Sequence, residues 1–260
     1  MKQSNIDLNS DVGESFGNYK LGLDEAVIPL ISSANIACGF HGGDPGVMRR
    51  TVALAKAKGV AVGAHPGLPD LLGFGRRSMD VSQEEIQDYV TYQIGALQAF
   101  AASQGVSLAH VKPHGALYNM AVANPQIWES VAGAMAAVDS NLILFVLGGR
   151  DAASIRAMGE RRGIRIAFEF FADRAYNPDG SLVSRRQPGA VIRDHDLAAQ
   201  RVLKMAAEGK VACVDGSEIE LTAHTVCVHG DNPAALQLVE RIRDTLAANG
   251  VEIAAPGKFL

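Results

Sequence analysis

A chain of 260 residues with 48% hydrophobic and 20% charged residues has the size and make-up of a compact α/β protein that can bury a sizeable core. Its net charge of −4 offers no basic surface for nucleic acid or an anionic membrane. The three cysteines, Cys38, Cys213 and Cys227, are odd in number and lack CxxC spacing, which argues against a disulfide framework or a cysteine zinc site.

Short apolar runs alternate with helical patterns along the whole chain. The first strand is read in "IDLNS". A helical stretch "GLDEAVIPLIS" leads to the second strand, "SANIACG". Asp44 and Pro45 then mark a helix start, as N-cap and first-turn proline, for "DPGVMRRTVALAKAKG". The third strand, "VAVGAH", precedes the longest helix, which Ser82 and Glu85 open with capping-box spacing. "LAHVKPH", "LILFVLGG", "IRIAFEFF" and "HTVCVHG" supply four more strands, again separated by helices. Before the last strand, "VACVDGSEIEL" reads as a small hairpin around Asp-Gly. No Pro/Gly/Ser linker divides the sequence, so residues 1–260 are read as one domain. No run of about 18 apolar residues suggests a membrane span, and strand-like sequence starts almost at once, without a signal-peptide pattern. A cytoplasmic protein is the expectation.

Seven strands alternating with helices predict a parallel sheet covered by helices. Polar residues fall on a single parity of these strands: Asp7, Asn9 and Asp11 in the first, His110, Lys112 and His114 in the fourth, Glu169 and then Asp173 in the sixth, His229 and Asp231 in the last. A doubly wound open sheet would carry apolar residues on both parities. A barrel turns one parity inward and places its site at the strand C-terminal ends. The fold expectation is therefore a seven-stranded β/α barrel, with Asp7, Asn9, Asp11, His110, Lys112, His114, Glu169 and His229 lining one cavity.

Several loops add candidates. "CGFHGGDPG" holds His41 and the flexible Gly42 and Gly43 at a helix entry, where free backbone N–H groups suit an anion. The plainer reading is a glycine-rich turn. "VGAHPGLPDLLGFGRRSM" places His65 at a strand end, and Arg76 and Arg77 in a long loop suited to a carboxylate or phosphate, or to solvent. A lysine such as Lys112 inside a barrel needs a carboxylate partner, with Asp11 and Glu169 the candidates. Arg174 follows Asp173; Arg185 and Arg186 fit a surface role as well as a functional one. His195 and His224 read as surface or structural. Histidines, acids and a lysine gathered at strand ends support acid–base chemistry on a small polar molecule. His41, His65 and Asp11 are donor types suited to zinc or manganese. HxxH and HExxH are absent, however, and no metal ligand set is assigned.

The segments "DLNSDVGESFG", "ANIACGFHGGDP", "GAHPGLPDLLGFGRR", "HVKPHGALYN", "FADRAY", "DGSLVSR" and "VHGDNP" together resemble the LamB/YcsF family, in order and over nearly the whole chain. The resemblance implies a barrel similar to that of glycoside hydrolase/deacetylase enzymes. It also implies ATP-dependent hydrolysis of 5-oxo-L-proline to L-glutamate, in a complex with 5-oxoprolinase subunits B and C. Such chemistry needs donors for phosphate and lactam oxygen, a base for water and an acid for the leaving nitrogen. Lys112, Arg76 and the 39–46 loop are candidate donors; Asp11, Glu169 or a histidine is the candidate base. With no Walker A motif in the chain, bound phosphate is expected against the 39–46 amides. Two competing readings are a metal-dependent amidohydrolase or deacetylase acting alone, marked by stoichiometric bound metal with activity lacking any ATP requirement, and a non-catalytic lactam-binding subunit, marked by tight 5-oxoproline binding with activity that survives replacement of every mouth residue.

Overall fold

The computed structural model describes residues 5–228 and 233–260. Its strands run in chain order β1 (Asn5–Val12), β2 (Ser33–Ala37), β3 (Ala61–His65), β4 (Leu108–Val111), β5 (Ile143–Leu147) and β6 (Arg165–Phe171). A short antiparallel hairpin, β7 (Lys210–Ala212) and β8 (Glu218–Glu220), intervenes before β9 (Thr225–Cys227). Strands β1 to β6 are parallel neighbours, and β9 pairs with both β6 and β1, which closes a seven-stranded barrel. At the closing seam Asp7 lies opposite Thr225 and Asn9 opposite Cys227. A two-residue strand, β10 (Glu252–Ile253), extends β1 at its start.

The helices are α1 (Asp24–Val27), α2 (Pro45–Lys58), α3 (Gln83–Ser103), α4 (Gly115–Ala123), α5 (Pro125–Val138), α6 (Ala152–Arg162), α7 (His195–Glu208) and α8 (Pro233–Ala248). Asp44 caps α2 by accepting from the Val47 N–H, and Ser82 and Glu85 form both bonds of the capping box of α3. Helices α2, α6 and α7 stop at Gly59, Gly163 and Gly209, each in the left-handed region that glycine enters without strain. Two expectations needed revision. The "GLDEAVIPLIS" stretch gives only the single turn α1 and a 3₁₀ turn, because Pro29 removes a backbone donor. Helix α4 was not anticipated: it starts at Gly115 with no side-chain cap, in a run too uniformly apolar to show a period.

Parity sorts the side chains. Leu8, Ile36, Val62, Val111, Leu144, Val146, Phe168, Phe170 and Val226 face outward into one core shared with helix residues such as Val52, Ile94, Trp128, Val202 and Ile242. The inward parity holds a small apolar plug, Ile143, Phe145 and Ala167, beside the buried polar residues Asp7, Asn9, Ser33, Asn35, His110 and Glu169. A barrel interior with so little apolar filling holds together only if its polar groups satisfy one another.

Candidate active site

The deepest polar layer surrounds Asp7. Its carboxylate accepts from the hydroxyls of Ser32, Ser33 and Thr225, which joins β1 to β2 and β9. Burial pushes the Asp7 carboxyl up to about 6 in spite of these donors. One step up, Asn9 donates to Glu169 Oε1 at 3.0 Å and to Thr225 Oγ1 at 2.7 Å. Asn35 donates to Asn9 Oδ1 and Asp11 Oδ1 and accepts from His110 Nε2 at 2.7 Å. The His110 ring lies parallel to Phe145 at 4.3 Å. A Cβ on Gly63 would sit 2.1 Å from His110 Nε2, so glycine is required there. Burial, then the charge of Lys112, pushes His110 down to about 3, and the ring is neutral.

Above this layer Lys112 extends from the end of β4, where its N–H donates to the Ala64 carbonyl. Its Nζ reaches Glu169 Oε1 at 2.9 Å, Asp11 Oδ1 and Asn9 Oδ1 at 3.0 Å, and Cys227 Sγ at 3.2 Å. Burial opposes the Lys112 charge, but Asp11, Cys227 and Glu169 outweigh it and hold the ammonium well above the ordinary lysine range. For Asp11, burial is likewise outweighed, by His65 and Lys112, and the carboxyl stays ionised. Glu169 is fully engaged: Tyr118 of α4 donates to its Oε2 at 2.8 Å.

Four side chains gather beside Asp11 at the strand ends. His65 Nδ1 bonds the Lys112 carbonyl at 2.6 Å, and His114 Nε2 bonds the Phe74 carbonyl at 2.8 Å. His41 stacks on His114, with ring centres 3.6 Å apart and planes parallel to 1°. Glu14 lies against His41 Nε2 at 3.3 Å and His114 Nδ1 at 3.5 Å. One ligand atom from each of Glu14, His41, His65 and His114 falls within 4.8 Å of the others, a spacing that could hold a metal ion. Burial, then the neighbouring Asp11, raises the Glu14 carboxyl.

This floor opens into a cavity of about 100 Å³ lined by Asp11, His65, Arg76, Lys112, His114, Tyr118, Phe171, Arg174 and Arg185 among others. Three guanidinium groups thus stand at its rim. Arg174 donates through Nη2 to the Val183 carbonyl, while its buried Nε has no partner. The other main depression, between Trp128, Leu147 and Ile155, is apolar, measures about 30 Å³ and contains none of the expected residues.

The expected set therefore divides. Asp11, His65, Lys112, His114, Arg76 and Arg174 line the cavity, with His41 packed on His114 and Glu169 beneath Lys112. Asp7, Asn9 and His110 share the inward parity but are sealed below as a structural layer; they do not line the cavity as expected. Asp173 is half-buried just past β6 and is not among the lining residues. His229 and Asp231 lie outside the described residues. The 39–46 loop does not form the anion cradle expected of it. Gly42 and Gly43 are buried against the backbone of Glu14, Gly13 and Ala37, and the Asp44 carboxylate takes the helix-start N–H of Val47 and that of Gly17. Arg77 pairs with Asp70 instead of facing the site. His224 is structural, its Nδ1 accepting from the Phe168 N–H. Glu14 and Tyr118 were missed. Glu14 falls just beyond the alternation of β1, and Tyr118 belongs to the unanticipated α4. Arg185, which had been left open, is a lining residue.

Fold and site together define a β/α-barrel protein with a lysine–dicarboxylate centre under a small cation-rimmed cavity at the strand C-terminal ends. The chain belongs to the LamB/YcsF family, whose profile matches residues 6–260. It is 54% identical over 255 residues to the 5-oxoprolinase A subunit of Thermococcus onnurineus (strain NA1), covering 98% of this chain and 99% of that one. It is 53% identical over 250 residues to the 5-oxoprolinase A subunit of Bacillus subtilis (strain 168), covering 96% of each. Among solved structures, the lactam utilization protein from Thermus thermophilus superimposes with a TM-score of 0.91 at 47% identity, covering 96% of this chain and 99% of that one.

Proposed function

We propose that this chain is the A subunit of a cytoplasmic 5-oxoprolinase and that it works with subunits B and C to open 5-oxo-L-proline to L-glutamate at the expense of ATP. The observation that carries the reading is the charged Lys112, held by Asp11 and Glu169 at the floor of a small cavity with Arg76, Arg174 and Arg185 at its rim. The names of relatives that align over nearly the whole chain support it.

A five-membered lactam is an unactivated amide that re-closes readily, so direct attack by water is slow. In the reaction proposed, the lactam oxygen displaces ADP from the γ-phosphoryl group and the ring carbon becomes electrophilic. One water adds to that carbon, the C–N bond breaks as the nitrogen gains a proton, and a second water hydrolyses the resulting acyl phosphate. L-Glutamate, ADP and phosphate are the products. Lys112 places a fixed positive charge near the oxygen that accumulates charge, and the rim arginines suit the substrate carboxylate and the phosphoryl oxygens. Glu169 commits both oxygens to Lys112, Asn9 and Tyr118, which leaves Asp11 as the carboxylate facing the cavity to orient water.

Glutamate formation from 5-oxo-L-proline, with and without ATP and with and without subunits B and C, tests the proposal. The expected result is turnover that needs ATP and all three subunits. Turnover by this chain alone without ATP, or none by the full set, refutes it.

A further inference from the structure

The hydrogen bonds of His65 and His114 leave a proton unaccounted for. Backbone carbonyls only accept, so His65 must carry its proton on Nδ1, bonded to the Lys112 carbonyl at 2.6 Å. His114 must carry its proton on Nε2, bonded to the Phe74 carbonyl at 2.8 Å. With both rings neutral, the two remaining nitrogens, His65 Nε2 and His114 Nδ1, are bare, yet they face each other at 3.0 Å. Carboxylate oxygens add to this gathering of acceptors: Asp11 Oδ2 at 3.3 Å from His65 Nε2, and Glu14 Oε1 at 3.5 Å from His114 Nδ1. Lone pairs aimed at one another inside a protein repel unless something positive lies between them.

We infer that His65 Nε2, His114 Nδ1 and Glu14 Oε1 form a three-ligand site for a divalent metal ion of the zinc class, with its open position towards the cavity. Bonds of about 2.0–2.1 Å in tetrahedral array put ligand atoms about 3.3 Å apart. The His65–His114 and His114–Glu14 separations of 3.0 and 3.5 Å bracket that edge. The His65 and His114 rings are perpendicular, so each can point its lone pair at one ion. His41 is excluded as a ligand alongside His114. Their rings are parallel and 3.6 Å apart, and an ion between them would stand out of both ring planes. His41 is a positioning residue instead. Its buried Nδ1 has no partner, which puts the proton on Nε2, 3.3 Å from Glu14 Oε1, where it orients the carboxylate. Two imidazoles and one carboxylate are a donor set for zinc, manganese or cobalt rather than calcium. Ring tautomers and ligand-atom distances define this site whichever amide the protein opens.

The test uses the full chain, dialysed against a chelator and then titrated with cobalt(II), read by visible absorption, with zinc(II) competition and metal analysis of the purified protein. One equivalent of cobalt with ligand-field bands, displaced by zinc, is the expected result. His65→Gln and His114→Gln each weaken binding by about 100-fold or more, His41→Gln weakens it by about 10- to 100-fold, and His195→Gln leaves it unchanged. Glu14→Gln replaces one oxygen on a side chain 17% exposed. It is the variant that keeps the test decisive if a histidine variant fails to fold, as monitored by circular dichroism. Absence of a cobalt band, or equal affinity in wild type and Glu14→Gln, overturns the inference. So does a ¹⁵N spectrum in which a proton bridges His65 and His114 and persists in excess zinc.

Discussion

Replacing Lys112 by methionine separates what the ammonium does for the fold from what it does for the chemistry. Methionine fills a similar volume, so the perturbation is electrostatic. Lys112 is buried, and its Nζ serves Asp11 and Glu169 together. Without it Asp11 keeps the Asn35 donor, and Glu169 retains only the neutral donors Asn9 and Tyr118. Removing one partner of a buried ion pair costs about 3–5 kcal/mol. For a chain of this size that lowers Tm by on the order of 10 °C. Adding Glu169→Gln removes the stranded charge while keeping a polar group for Asn9 and Tyr118, and the double variant is expected to recover about half or more of that loss. Its glutamate formation in the reconstituted complex is expected to stay at background, because the cation is still missing. Denaturant unfolding of the two single variants and the double variant gives the stability cycle, and the coupled assay gives the activity. A Lys112→Met cost under about 1 kcal/mol, or a double variant no more stable than Lys112→Met, refutes the ion-pair reasoning. Near wild-type turnover by Lys112→Met refutes the catalytic assignment.

Asp7 makes a pH prediction: burial moves its carboxyl from 3.8 to about 6, so between those values the folded chain holds a proton that the unfolded chain has lost. Stability from this group is thus full below the lower value and lost as pH rises through the upper one, by about 3 kcal/mol; Asp7→Asn should flatten the urea stability profile over that window, and an unchanged slope counts against the assignment. Tyr118→Phe strands Glu169 Oε2 and should cost about 1–3 kcal/mol in denaturant unfolding; a loss within error would mean that this bond adds nothing. Gly75→Ala combines a left-handed φ of +62° with a Cβ placed 2.7 Å from His41 Cβ and 2.8 Å from His114 Cδ2. It should lower both Tm and turnover, whereas Gly17→Ala, at φ +55° but with open space around it, should lower stability alone, and equal losses of turnover would remove the site-specific argument.

The barrel was legible because alternation along a strand is a local signal. Asp7, Asn9 and Asp11 announce an inward polar face whatever lies opposite. Depth is not local. Whether Asp7 or Asp11 reaches the cavity depends on the register of β1 against β2 and β9, and that register puts Asp7 beside Thr225 under a lid of Asn9 and Lys112. The pairing of Lys112 with Asp11 or Glu169 was half anticipated, as a choice between partners; the geometry supplies both. The glycine loop misled because its composition matches an anion-binding turn, while its glycines are needed for close backbone packing against Glu14 and Ala37. Glu14 and Tyr118 left no periodic trace, since Glu14 sits just after β1 ends and Tyr118 reaches the site from within the short, uniformly apolar α4.

The seam between β1 and β9 joins Asp7 to Thr225, 218 positions apart. On a ribosome adding roughly 5–20 residues per second, β1 waits on the order of 10–40 s for the strand that closes the ring. Until then β1 and β6 both present unpaired edges, the kind of surface that recruits other chains into aggregates. The carboxylates of Asp7 and Asp11 are hydrated throughout that interval and keep the nascent edge wet and mutually repellent. The same residues that bind Lys112 and seal the interior in the finished barrel thus act as its gatekeepers while it is being made.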